Sequence, residues 1–423
     1  MQKLSFQTKG AHHFFGYYDI CPWDASGEKI LAHEVNFIDR TPNGKEPAGI
    51  GFFTAGQNFR KLAETSAWNF QQGARLQWLS GENNQIIFNS REDDGFISTI
   101  LDIETGKKKT LPVPIYAVHL SGEYALSLNF ARLNWVGGYG YPGIPDKNKD
   151  NFAPKDDGIY KIDLKTGESH LIFSIAEIAN FKNSLKINSP HYLTMMLFNL
   201  KGDRFAFLHR FKLPDGGIHT RLFTANPDGT GLYLLAEGTL SHFDWFSDDK
   251  IFVWGRKRST LINLRKKNVF NSPILKPLLS FARKQRGFLR HQIFGDQLLL
   301  FKDKEGYIGS IGENKITEDG HFTRYKGTDW ILGDTYPDKN HFRELFLFNL
   351  RTKEKTVLGK FYSLIKGVPE SWELSAVRSD LHPRFSRDGK QVCIDSIHEG
   401  TRQMYVFDIG DTLKGNGKNQ NSL

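Results

Sequence analysis

The fold class this sequence predicts is all-β: a seven-bladed β-propeller of four-stranded antiparallel blades. Two recurring hairpin patterns and an aromatic-rich composition predict it. The first pattern is an aromatic or apolar residue, a short polar turn with Gly or Asp, then an alternating strand. It recurs seven times: PWDASGEKILAHE (22–34), QWLSGENNQIIFNS (77–90), VHLSGEYALSLNF (118–130), LFNLKGDRFAFLHR (197–210), DWFSDDKIFVWG (244–255), TRYKGTDWILGDT (323–335) and PRFSRDGKQVCIDS (383–396). The second is a strand ending in Asp or Asn, a Gly- or Lys-bearing turn and a strand back, as in ILDIETGKKKTL (100–111), IYKIDLKTGESHLI (159–172), LFTANPDGTGLYLL (222–235), LFLFNLRTKEKTVL (345–358) and MYVFDIGDTL (404–413). Both read as hairpins by their two-residue alternation and turn chemistry. Two hairpins in each repeat of about sixty residues give four strands per blade and seven blades around one ring. Aromatics at 13% of the chain, including 34 Phe, suit strands that pack on both faces.

Taken in order, the first repeat opens on HHFFGYYDICPWDASGEKILAHEVNF (12–37). Phe14, Phe15 and Trp23 serve blade packing there, but His12, His13, Tyr17, Tyr18, Asp19 and His33 are more titratable groups than packing needs. In the second repeat Arg91 takes the place that His33 has in the first, and in the fourth FLHRF puts His209 and Arg210 there. The third repeat is broken by a Gly/Pro/Asp-rich loop, Gly137 to Gly158, carrying Tyr139 and Tyr141; loops of that length in a compact domain are commonly functional. The fifth is interrupted from Arg256 to Arg290 by eleven Lys/Arg with no Asp or Glu. The centre of that insert, SPILKPLLSFARKQR, patterns as an amphipathic basic helix with Pro277 straining it, suited to an anionic or membrane surface or to the side of the propeller.

The formal charge of +9 belongs to that insert: the rest of the chain has 45 basic against 47 acidic residues. A near-neutral remainder without an RNA-binding motif argues against nucleic acid. No apolar run is long enough to span a membrane, and the N-terminus lacks a signal-peptide core. The expected location is cytoplasmic, or periplasmic or secreted had a leader been removed. Cys21 and Cys393 are too few for a disulfide framework and read as reduced core thiols. A monomer is expected.

Aligning the repeats on their turns brings out one position. Three residues before the turn aromatic, or before the residue in its place (His119 in the third repeat, Arg324 in the sixth), stand Ile20, Arg75, Tyr116 and Met195 in repeats one to four, then His242, His321 and His382 in repeats five to seven. Equivalent positions at the start of the inner strands ring a propeller's channel, so three histidines on consecutive blades are expected to converge. Neutral imidazoles so arranged can ligate a divalent ion, and manganese, zinc or calcium is expected, with no organic cofactor. The same mouth is expected to collect His13, His33, Arg91, His209 and Arg210, with Tyr139 and Tyr141 covering it.

No opposed carboxylate pair of the glycosidase kind, G-x-S-x-G elbow or P-loop is found. Histidine, tyrosine and arginine suit β-elimination from a uronic acid, in which a cation neutralises the carboxylate, a base takes the C5 proton and an acid protonates the leaving oxygen.

The repeats, with HHFFGYYD, RFAFLHRF, TRLFTANPDGTGLYLL, DGHF, DTYPD and DLHPRFSRDGKQVCIDSIHEGTRQMYVFD, resemble a bacterial propeller family related to polysaccharide lyases. The resemblance is to seven-bladed lyases of the ulvan-lyase and rhamnose–glucuronate-lyase type and, more distantly, to oligogalacturonate lyases. It implies His13, His33 and Arg91 as the two histidines and arginine of the first type, with Tyr17, Tyr139 or Tyr141 as the tyrosine. It implies His242, His321 and His382 as metal-holding histidines of the second. His12, Tyr18, Arg75, Tyr141, His209, Arg210, Arg378 and Arg384 are then expected to bind an anionic, uronate-containing glycan. The rival expectation is a non-catalytic propeller that binds an anionic glycan or protein partner at a membrane surface through residues 256–290.

Overall fold

The computed structural model describes residues 2–3, 11–79, 84–182, 188–256, 295–365 and 377–415. The basic insert, from residue 257 onward, lies outside the described residues. Seven four-stranded antiparallel sheets form the expected propeller. In six blades the strands follow chain order from inside to outside, so each is a plain meander. The seventh closes the ring: β1 (Gln2–Lys3) pairs with strand Gln403–Asp408 in the register Gln2↔Val406 and Lys3↔Tyr405. Here the second hairpin expected in MYVFDIGDTL does not form. Its return segment is a short helix, Gly410–Gly415, and the N-terminal strand takes the outer place.

The core lies between blades, where neighbouring faces interdigitate. One cluster joins Phe14, Trp23, Leu31 and Phe52 of the first blade to Trp68 and Phe88 of the second, and to Cys393 and Met404 of the seventh. Burial of such side chains contributes roughly 1.5–3 kcal/mol each. In the fifth blade strands Lys250–Arg256 and Asp296–Lys302 pair along their whole length, Arg256 opposite Asp296. The chain therefore leaves the blade and returns to it at directly facing residues.

Left-handed backbone recurs at one position of the inner strands. Arg75, Met195 and His382, all at the repeat position picked out by alignment, have φ of 54°, 55° and 44°. Left-handed backbone is costly for residues with a Cβ and is maintained only where the surroundings compel it.

Candidate functional site

The three aligned histidines meet. The ring centroids of His242 and His321 are 4.2 Å apart and those of His321 and His382 4.3 Å. Two aspartates missed by sequence reasoning stand beside them. Asp334 accepts from His321 Nδ1 at 3.0 Å, from the His321 backbone N–H at 2.7 Å and from the His382 backbone N–H at 3.2 Å. One buried carboxylate thus holds histidines of two blades and turns His321 so that Nε2 is its free nitrogen. Asp380 lies between Arg343 (2.7 Å) and Arg378 (2.9 Å), 3.9 Å from His382 Nε2. Burial opposes its charge, but the two guanidiniums prevail and hold the carboxyl well below the usual range. The signal for Asp380 was present in the sequence: D-x-H stands in DGH (319–321) and again in DLH (380–382).

Burial, then the nearness of His321, pushes His242 below its ordinary value and His382 well below it, so both rings are neutral at pH 7. His382 Nε2 is buried with no hydrogen-bond partner, a position that ordinarily costs free energy. His321, Asp380 and His382 can bring one ligand atom each within 4.8 Å of one another, and His242 stacks beside them. His242 is more accessible, its side chain 11% exposed, and it contacts Ser241 Oγ (2.9 Å) and Asp319 (3.4 Å).

Tyr17 and Tyr18 also reach the cluster. Tyr17 lies 5.0 Å from the His382 ring and Tyr18 5.3 Å from that of His321. They get there through Gly16, whose φ is 121° and whose missing Cβ would sit 2.8 Å from the Gln72 carbonyl carbon. Asp395 holds the same turn by accepting from the Phe15 and Gly16 N–H groups, the latter at 3.0 Å. Both phenols are packed: Tyr18 donates to the Phe243 carbonyl at 2.9 Å and Tyr17 to Met195 Sδ at 3.4 Å. Burial, before any neighbouring charge, raises both well above their ordinary value, so they are neutral walls of the site.

On the adjoining rim Arg210 Nη1 donates to the Tyr139 hydroxyl at 3.0 Å, and its charge is felt at both His242 and Tyr17. Tyr336, another residue missed, has its ring 6.1 Å from His242 and from His321, with the Arg378 guanidinium 4.8 Å above it. Burial raises this phenol too. Arg75 is engaged with another partner, forked onto Asp19 at 2.7 and 3.1 Å.

Other expected members are elsewhere. His13 pairs with Glu34 and His33 with Phe14 across β2 (His12–Phe14) and β3 (Lys29–Val35), so the two histidines point to opposite faces of one blade. His13 sits against Phe53 and Phe59, bonded to Gln403 and Glu34. His12, next to it on β2, is half-buried near Arg402, away from the three histidines. His33 is wholly buried, stacked on Phe14, and accepts the Ala74 N–H at 3.0 Å; burial brings it down to about 4. Arg91 donates to the Gly44 carbonyl. Tyr141 stacks on Phe130 at 4.2 Å and accepts from Asn89. His209 shares a 2.9 Å hydrogen bond with His191 in the core, and Arg384 is paired with Asp395. The arrangement implied by the ulvan-lyase resemblance, His13 with His33 and Arg91, is therefore not assembled. Strand alternation and blade packing turn those side chains to separate environments.

No protein-family model matches the chain, and no curated protein matches it in sequence. Solved structures do. The oligogalacturonate lyase of Vibrio parahaemolyticus superposes with a TM-score of 0.61 at 13% identity, over 97% of this chain and 93% of that one. An oligogalacturonate lyase in complex with manganese gives 0.60 at 15% identity, over 94% and 90%. The β-propeller domain of the Trilobed protease from Pyrococcus furiosus gives 0.51 at 11%, over 95% and 96%. Identities this low establish a shared seven-bladed fold, and fold alone does not carry activity. No helix among the described residues is long and apolar enough to cross a membrane.

Proposed function

We propose that this chain is a uronate-glycan lyase working by β-elimination at the mouth formed by His242, His321 and His382. One observation carries the reading: three imidazoles from three consecutive blades converge, one of them with a buried, unpartnered nitrogen, beside the Arg210–Tyr139 pair. The likeness to two oligogalacturonate lyases supports it.

The donor set, imidazoles with one carboxylate, fits zinc, or manganese held by mixed nitrogen and oxygen ligands, better than calcium, which prefers oxygen ligands. His321, Asp380 and His382 would hold the ion with His242 beside them, and Asp334 would fix the two holding histidines. A bound divalent ion supplies positive charge to a carboxylate as negative charge builds at the neighbouring carbon. Arg210 and Arg378 hold and neutralise the uronate carboxylate, which makes the C5 proton easier to remove. Tyr139, once its own proton has passed to solvent, accepts that proton as the phenolate, an anion that the Arg210 guanidinium on its oxygen stabilises. The freed electron pair forms the C4–C5 double bond and the C4–O bond breaks. Tyr336, kept protonated by burial, gives the leaving oxygen its proton.

The test is ultraviolet absorbance of the 4,5-unsaturated product over a panel of uronate polysaccharides and oligosaccharides, oligogalacturonates included, with and without chelator. A rising signal that chelator abolishes is expected. A flat panel from folded, manganese-supplied protein would refute the lyase reading and leave a propeller that binds an anionic glycan without cutting it.

A further inference from the structure

We propose that Arg91 is a positioning residue for Tyr139, acting through a backbone crossing of two loops at Gly44 and Gly143. This rests on the role given above to the Tyr139–Arg210 pair. The loop after the third blade's second strand carries Tyr139 to Arg210 while its own backbone is held from beneath. Asn69 Nδ2 donates to the Tyr139 carbonyl at 2.8 Å and to that of Gly140 at 3.1 Å. The loop then passes over the first-blade loop so closely that neither chain admits a side chain. A Cβ on Gly44 would lie 2.4 Å from the Pro142 carbonyl oxygen, and one on Gly143 3.0 Å from Gly44 Cα and 2.5 Å from Arg91 Nη1. Both glycines have positive φ, 84° and 93°, which adds strain to any substitution.

Arg91 locks this crossing. Its Nη1 donates to the Gly44 carbonyl at 2.6 Å from directly beside Gly143. A crossing of two glycine backbones buries little apolar area, so a charged donor on the carbonyl is the main force keeping the strands in contact. The first-blade loop offers a firm anchor: Arg40 forks onto Glu46, and the Glu46 carbonyl accepts from Trp68 Nε1 at 2.7 Å. Beyond the crossing Arg132 fixes the remainder, donating to Asp146 (3.0 Å), Asn148 (3.3 Å), Asn151 (3.1 Å) and Phe152 (2.7 Å). Tyr139 is thus presented by a loop tied down on both sides: Asn69 holds the Tyr139 carbonyl itself, and Arg91 secures the crossing that follows at Gly143. A displacement of about 1 Å in such a group can cost on the order of a hundredfold in rate.

Arg91→Ala, Arg91→Lys and Tyr139→Phe, with the Arg91→Ala/Tyr139→Phe double variant, test this by steady-state kinetics on a cleaved uronate glycan and by hydrogen exchange over 138–145. The expected result for Arg91→Ala is a kcat lower by about tenfold to a hundredfold with KM little changed. Exchange over 138–145 should be faster, free guanidinium ion should restore part of the rate, and adding Arg91→Ala to Tyr139→Phe should cost little more. An unchanged kcat, or a loss fully additive with that of Tyr139→Phe, would overturn the proposal. Should Arg91→Ala not fold, Arg91→Lys is read by the same criteria, its point charge lacking the fork of the guanidinium. Should the wild type cleave nothing, the lyase reading has failed and exchange decides alone: faster exchange supports the tie and unchanged exchange overturns it.

Discussion

Replacing His33 by Gln separates packing from catalysis at the residue that the lyase resemblance singled out first. The ring is wholly buried, stacked on Phe14, with Nε2 accepting the Ala74 N–H, and it is therefore neutral. Burial is the main cause of a value near 4, and the Phe14 and Phe15 carbonyls beside the ring oppose it only in part. In the unfolded chain the same imidazole takes a proton below about 6.5. Between those values the unfolded state binds more protons, so stability falls as pH falls. The loss begins near pH 6.5 and is complete below about pH 4. Its full size is about 3 kcal/mol, and about 2 kcal/mol is lost by pH 5. Gln can still accept the Ala74 N–H but cannot titrate. The assay is urea unfolding followed by tryptophan fluorescence, with chelator present, from about pH 7.5 down to 4.5. The variant should be less stable at neutral pH, and the gap to wild type should close by about 2–3 kcal/mol on acidification. Parallel curves would refute the reasoning. A kcat collapse at unchanged stability would return His33 to the chemistry.

His382→Ala removes the unpartnered nitrogen; the stabilisation that saturating manganese gives the wild type, about 2.7 kcal/mol at a hundredfold excess over Kd, should vanish in thermal melts. Gly16→Ala forces a Cβ against the Gln72–Gly73 backbone at a φ of 121° and should cost at least about 2 kcal/mol, read as a lower melting temperature. Tyr139→Phe should lower kcat by about 10²–10⁴ and leave KM nearly unchanged, measured as initial rates of unsaturated-uronate formation. Arg132→Ala strips the cation from buried Asp146 and should destabilise by about 3–5 kcal/mol, with limited proteolysis cutting first within 142–157.

The propeller was legible because its signals are local. Aromatic, turn and alternating strand recur within about a dozen residues, and each copy specifies its own hairpin. The convergence of His242, His321 and His382 was legible for the same reason, since a repeat position maps onto a ring position. Ring closure was not: among the described residues β1 completes the seventh blade through two paired residues just over four hundred positions away, and MYVFDIGDTL imitates a hairpin that the chain does not make.

Within the site, the sequence by itself determined which residue types stand at the channel ends of the blades. The tertiary structure decided which of the remaining charged groups join them. His13 and His33 have the spacing of a catalytic pair, yet pairing of β2 with β3 puts them one residue out of step and on opposite faces. Asp334 passes unnoticed in the sequence but becomes an orienting carboxylate because two blades meet there, its oxygens accepting from His321 on one and His382 on the next. Strand formation depends on neighbours in the chain. The charge, hydration and orientation of a side chain depend on what packs against it, and here those contacts come from residues tens to hundreds of positions away.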